Sequence, residues 1–196
     1  MALLVLGLLV FAFQKSGSFL VLENGPTSDA LVVTQGDSLD DAYWAGLHVL
    51  MKGEAHDLFV DARTDRIFFG QSQAALAEDF IRKTATEYVD RVHVCPITAA
   101  TTAGETYQVQ NCLRGRSIRS AMIVVGDFHT RRSVAIFSRL LPQYRWSAMP
   151  VHNQSTFDPH WWRRRVWIRT AVVEWQHLLW WELLDRWRFA PMTGPS

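Results

Sequence analysis

The residues best suited to chemistry in this chain stand in one run, Gly126-Asp127-Phe128-His129-Thr130-Arg131-Arg132-Ser133. It follows the apolar run Ala121-Met122-Ile123-Val124-Val125 and precedes a helical pattern, so a histidine and two arginines fall at a strand-to-helix junction. In a parallel α/β sheet, ligands settle in the crevice outside the carboxyl ends of the strands, and the first turn of the next helix offers free N–H groups to an anion. An imidazole that titrates near neutrality beside guanidinium groups points to phosphate or carboxylate chemistry. His129 and Arg132 share a face once the helix starts, while Arg131 points elsewhere. In the functional reading Arg132 clamps an anionic group and His129 is a general acid, base or nucleophile. In the plainer reading the same residues are a helix start with a solvated histidine and arginines.

Two more loops carry polar residues to the same edge: Gln35-Gly36-Asp37-Ser38 and Thr101-Thr102-Ala103-Gly104-Glu105. Parallel strands send their carboxyl ends one way, so the three loops are expected to line a common cleft. Gly36 and Gly104 allow close backbone approach or positive φ beside a phosphate. Asp37 is placed either to hold a divalent cation against a phosphate or to cap a helix. Thr102 and Glu105 form the capping-box pattern Thr-x-x-Glu, and Glu105 is also placed to orient His129 or activate water. The expected site is therefore His129 and Glu105 for catalysis, with Gly36, Asp37, Thr102 and Arg132 for ligand binding. His48, His56, His93, His152, His160 and His177 have no partner spacing and are read as structural. There is no GxSxG elbow, Walker loop or full GxGxxG, which sets aside serine hydrolases, P-loop NTPases and ordinary dinucleotide dehydrogenases. No metal-ligand spacing is present, and no cofactor is assigned.

The elements that must position these residues alternate between strand and helix. Strands are expected at Ala30–Thr34, Asp57–Asp61, Arg91–Cys95, Ser120–Val125 and, at a sheet edge, Tyr144–Met149. Helices are expected from Ser38 to about Met51, from about Gln71 to Glu87, after the loop Pro96–Gly104, and over Val134–Leu141. Phe19–Leu22 reads as a short extended stretch. The pattern predicts a Rossmann-like, doubly wound and mostly parallel sheet of about five strands with helices on both faces.

With 196 residues the chain has room for one such domain, and a net charge of +1 gives no reason to expect nucleic acid as a partner. Three segments are distinguished: 1–17, a membrane anchor or signal-like segment; 18–190, the α/β domain; and 191–196, a tail. Ala2–Phe13 is wholly apolar. As a helix it is about 18 Å long, short of the roughly 30 Å hydrocarbon core; the preferred reading is a retained single anchor. From Asp158 to Arg188 a long helix is expected, with seven tryptophans and several arginines. That mixture suits a membrane–water interface, and equally a helix whose indoles pack on the domain. Cys95 and Cys112 are either a disulfide or two buried thiols.

Across most of the chain after residue 17 the sequence resembles the YdcF-like family of bacterial envelope proteins. The likeness rests on Ser28 to Gly36 around the first strand, the Thr102–Glu105 element, Phe128-His129-Thr130-Arg131-Arg132-Ser133, a tryptophan at 161–162, and Glu174 in the last helix. It departs in the first-loop glycine pair, here Gln35-Gly36, and in Asp61-Ala62-Arg63-Thr64, where the family has a serine followed by glycines. The resemblance implies a Rossmann-like domain tethered at the inner membrane, extracytoplasmic, in peptidoglycan-precursor or lipid-carrier metabolism. Its ligand would be a small phosphate-bearing or lipid-linked molecule. A non-catalytic module for a nucleotide or S-adenosylmethionine, and an envelope scaffold, are the alternatives.

Overall fold

The structure is a computed structural model that describes residues 2–25, 27–36, 39–151 and 160–192. It opens with helix α1 (Ala2–Leu20), then β1 (Ala30–Val33), α2 (Leu39–Met51) and β2 (Asp57–Arg63). A small hairpin of β3 (Ile67–Phe68) and β4 (Gln71–Ser72) leads into α3 (Gln73–Thr84) and a 3₁₀ helix at Thr86–Arg91. Then come β5 (Val92–Ile97), α4 (Thr102–Leu113), β6 (Ser120–Gly126), α5 (Thr130–Leu140) and β7 (Arg145–Val151). Last are α6 (Arg165–Trp180), a π-helical turn at Trp181–Asp185 and the short α7 (Arg186–Arg188).

The main sheet has five strands in the order β5-β2-β1-β6-β7, all parallel. This is the expected doubly wound α/β architecture. The period-two alternation of a strand sends Leu31 and Val33 to one face, beneath α2 and α3 with Leu47, Leu50 and Ile81. Ala30 and Val32 face α4 and α5, with Phe59, Val109, Ile123 and Phe137. From β1 the chain crosses to β2, and from β6 it leaves the other way to β7. The crevice between the carboxyl ends of β1 and β6 is thus the topological switch point, where open α/β sheets take their ligands.

The element boundaries shift where tertiary contacts override local signals. Phe19 and Leu20 belong to α1, which corrects the expected extended stretch. The helix continues through Gly17 because α6 and the turn before it hold its last turns. Trp161 Nε1 donates to the Gln14 carbonyl (3.1 Å), Trp175 Nε1 donates to the Ser16 carbonyl (3.2 Å), and Leu20 is buried. A Cβ on Gly17 would collide with the Trp161 indole. Of the long helix expected from Asp158, residues 158–159 lie outside the described residues; Trp161–Arg163 is a 3₁₀ turn, and the α-helix begins at Arg165. Cys95 and Cys112 are joined in a disulfide that ties β5 to α4, with a Cα–Cα distance of 6.0 Å.

Candidate functional site

Each functional side chain is placed by a periodicity. On β2, Phe59 and Asp61 point to the same face, so Asp61 lies beneath α4 and is fully buried. On α4, Glu105 and Val109 are one turn apart on the inner stripe, which turns Glu105 inward toward Asp61. On α6 the buried stripe is Trp167, Ala171, Glu174, Leu178, a glutamate in register with apolar neighbours. Glu174 is 2% exposed and looks onto the first turn of α5.

There the charges converge. Arg132 Nε donates to Glu174 Oε2 (2.9 Å) and Nη2 donates to Oε1 (3.3 Å), while His129 Nδ1 lies 2.9 Å from Oε1. Arg132 Nη1 donates to Thr102 Oγ1 (2.8 Å), which links α4 to α5. Burial pushes the Glu174 carboxyl up, but the hydrogen bond and charge of His129, with Arg132 behind them, outweigh it and hold the group at about 2. Glu174 is therefore a carboxylate placed to accept the Nδ1 proton; Arg132 Nη2 also lies 3.1 Å from Nδ1, and in that tautomer it makes no hydrogen bond to the ring. His129 is left with Nε2 as its basic nitrogen, the tautomer a general base needs.

On the β1 side, Glu105 Oε1 accepts the Gln35 N–H (2.8 Å), and Gln35 Nε2 donates to the Asp61 carbonyl. Burial and then the charge of Glu105 push the Asp61 carboxyl well above the ordinary carboxylate range. Among the described residues no well-formed hydrogen bond reaches either Asp61 oxygen, and the carboxyl lies against that of Glu105, so the neutral acid is the form this pocket tolerates. Glu105 is also raised, by burial first, against the lowering pull of the Gln35 N–H and of Arg132 and His129. The result is a carboxylic acid behind a carboxylate at the floor of the cleft.

The sign of this for stability is definite. A folded-state pKa above the unfolded value, about 3.9, gives stability that is complete below that value and lost as pH rises through the folded one. Asp61→Asn keeps the shape and removes the titration. It is expected to melt several degrees above the parent at pH 8, a gain of about 1–3 kcal/mol, and to match it near pH 4. Melting curves of the two proteins at both pH values decide this, and equal stability at pH 8 would clear Asp61 of the role.

The structure brings His129, Arg132, Thr102 and Glu105 to one edge with Gly36, as the sequence indicated; Asp37 lies outside the described residues. Three details differ. The α4 cap is Thr101, whose Oγ1 accepts the Gly104 N–H (3.1 Å); Thr102 turns to Arg132 and Glu105 to Gln35, so the capping box does not form. Neither Gly36 nor Gly104 has positive φ. A Cβ on Gly104 would press on Ala99, whereas Gly36 faces open space. Glu174, not Glu105, is the residue bonded to His129. The resemblance singled out Glu174 without a role, and the apolar stripe of α6 with one glutamate inside it is the physical signal for it.

Two cavities meet at Thr101 and Thr102. One, of about 210 Å³, is polar and lies over the ends of β1, β2 and β5, lined by Gln35, Gly36, Arg63, Arg66 and Glu105. The other, of about 320 Å³, runs between Arg132, Ile136, Trp180, Trp181 and Phe189. Among the described residues no group of three or more His, Cys, Asp or Glu side chains is placed to hold a metal ion. Comparison with known proteins gives no matching family model and no matching curated protein.

Proposed function

We propose that this protein is a membrane-associated envelope protein of the YdcF-like type that binds a phosphate-bearing, lipid-linked ligand in its strand-end cleft. It acts on that phosphate as a hydrolase or transferase in lipid-carrier metabolism. The observation that carries the reading is the Glu174–His129 pair, a buried carboxylate fixing an imidazole tautomer at the edge where an α/β sheet takes its ligand. The neighbouring cavities add to it, because a polar hollow that shares the wall Ala100–Thr102 with one lined by indole and phenyl rings suits an amphiphile, while His129 faces the small hollow at Gly36 beside them.

In this reading His129 Nε2 takes a proton from the attacking water, or from an acceptor hydroxyl, as its oxygen bonds to phosphorus. The phosphorus–oxygen bond to the lipid then breaks, and the imidazolium returns the proton to the departing oxygen. Glu174 stabilises the imidazolium between the two events. Arg132 has five N–H groups, and its bonds to Glu174 and Thr102 leave a second Nη1 hydrogen for a phosphate oxygen.

The membrane part rests on α1. Its amino-terminal half leaves Leu4, Leu6, Leu8 and Phe11 exposed, and exposed Arg163, Arg164 and Arg165 follow Trp161, which grips the helix at Gln14. Apolar residues above a collar of arginine and tryptophan match the layering of a membrane–water interface. No helix among the described residues is long and apolar enough to cross a membrane. In the proposal, α1 therefore enters one leaflet. The Cys95–Cys112 disulfide suits an extracytoplasmic, oxidising setting.

The test is phosphate release from a polyprenyl phosphate presented in vesicles. His129→Ala is expected to lower turnover by about 10²–10⁴-fold, a far larger effect than the fall in melting temperature that comes with taking this partner from the buried Glu174. A variant that turns over normally ends the reading. Stabilisation of the parent by S-adenosylmethionine, with no turnover of any phosphate, would replace it with a binding module.

A further inference from the structure

After β2 the chain leaves the main sheet for the β3–β4 hairpin, closed by Phe69 and Gly70. Both closing residues have positive φ, 50° and 83°. That combination belongs to a type I′ turn, whose first position ordinarily takes Asn, Asp or Gly. A phenylalanine there carries a steric penalty. It also stands wholly in solvent, next to Ile67 at 61% and Phe68 at 47% exposure. Turn chemistry and hydrophobicity both disfavour this residue in water, and the described residues offer it nothing to pack on.

The hairpin is firmly rooted. Gln73 N–H donates to the Arg66 carbonyl (2.8 Å), Arg63 pairs with Asp65, and Arg63 Nη1 donates to the Ala99 carbonyl (2.7 Å). Its tip is apolar, and with Arg63 paired to Asp65 the base carries the positive charge of Arg66. It rises from the carboxyl edge of the sheet at β2, and α1 joins the same edge beyond β6, where Leu22 N–H donates to Thr130 Oγ1 (2.7 Å). Only β1 separates β2 from β6, so the two roots are about 10 Å apart in the sheet direction. The cleft opens between them, at Gln35 and Gly36.

We propose that Ile67-Phe68-Phe69 is a second membrane-insertion point, entering a bilayer with anionic headgroups while Arg66 stays at the phosphates. A helix held at one point leaves a domain free to swivel; a second contact across the cleft turns its mouth to the lipid surface. Exposed apolar residues with arginines next to them occur on both elements rooted beside that mouth, the hairpin and α1, and this shared composition selects a bilayer over a protein partner. The inference rests on the membrane-associated reading above and needs no turnover.

The experiment uses the full chain with its disulfide intact. Phe69→Cys and, as a control at the opposite edge, Glu87→Cys are labelled with an environment-sensitive nitrobenzoxadiazole dye and mixed with phosphatidylglycerol–phosphatidylcholine vesicles. The label at 69 is expected to brighten several-fold, shift to the blue and be quenched by nitroxide-bearing lipid, while the label at 87 stays unchanged. A label at 69 that keeps its aqueous spectrum while the protein pellets with the vesicles overturns the inference and leaves the α1 tether standing. Protein that does not pellet removes both. A blue shift that appears without vesicles as protein concentration rises assigns the tip to a second copy of the chain and also overturns the inference.

Discussion

Glu174→Gln is expected to lower the melting temperature at pH 7 by about 6–20 °C, the effect of roughly 3–5 kcal/mol on a domain of this size. The side chain is almost wholly buried, and the change leaves Arg132 and His129, whose side chains are only 14% and 29% exposed, without their shared carboxylate. The pH dependence separates charge from packing. The Glu174 carboxyl is held down from 4.5 to about 2, so its contribution is present above the unfolded value and lost as pH falls through about 2. That interval corresponds to about 3 kcal/mol. Melting curves of parent and variant are therefore expected to lie far apart at pH 7 and to converge toward pH 3. A gap that stays constant over that range would mean that the glutamine disturbs packing and that the charge is incidental.

Reducing the Cys95–Cys112 bond is the second large effect. The two cysteines are 17 positions apart, and the enclosed segment carries Thr101, Thr102 and Glu105. Chain-entropy arguments for a loop of this size give about 3 kcal/mol, or about 6–12 °C in melting temperature. Cys95 is wholly buried, so the reductant is added during refolding. Cys112→Ser is expected to show the lowered melting temperature with no further response to reductant. A parent protein whose thiols become titratable without loss of stability would remove the bond from the ledger. The Asp61→Asn variant bears on the same wall of the cleft, because the disulfide fixes α4 and α4 fixes Glu105 over Asp61.

The sheet was legible in the sequence because its inner strands are buried on both faces. Ala30–Val33 and Ala121–Val125 are unbroken apolar runs, and such runs flanked by helical patterns have few alternatives. Once strand directions are known, the three strand-end loops must share an edge, so His129, Arg132, Thr102, Glu105 and Gly36 come together. The partner that completes the histidine was not legible in that way. Glu174 stands 42 positions from Arg132 in a helix outside the sheet, and only the packing of α6 on α1 and α5 decides that its stripe meets the first turn of α5. The capping box failed for a related reason: local pattern assigns Glu105 to its own helix, while the Gln35 N–H from a distant strand is the partner it takes. The pairing of Cys95 and Cys112 depends on the offset between α4 and β5, which spacing alone does not fix.

The grip of α6 on α1 bears on proteolytic maturation. Trp161 and Trp175 donate their indole N–H groups to carbonyls of Gln14 and Ser16, and Thr130 Oγ1, one residue from His129, is held by the backbone at Leu20 and Leu22. A leader peptidase cutting after Ser16 would take the acceptors from the buried Trp161 indole and the half-buried Trp175 indole and strip most of α1 from behind the histidine. Residues 14–20 are thus part of the folded domain's own lining, and trimming that preserves the site has to stop before Gln14.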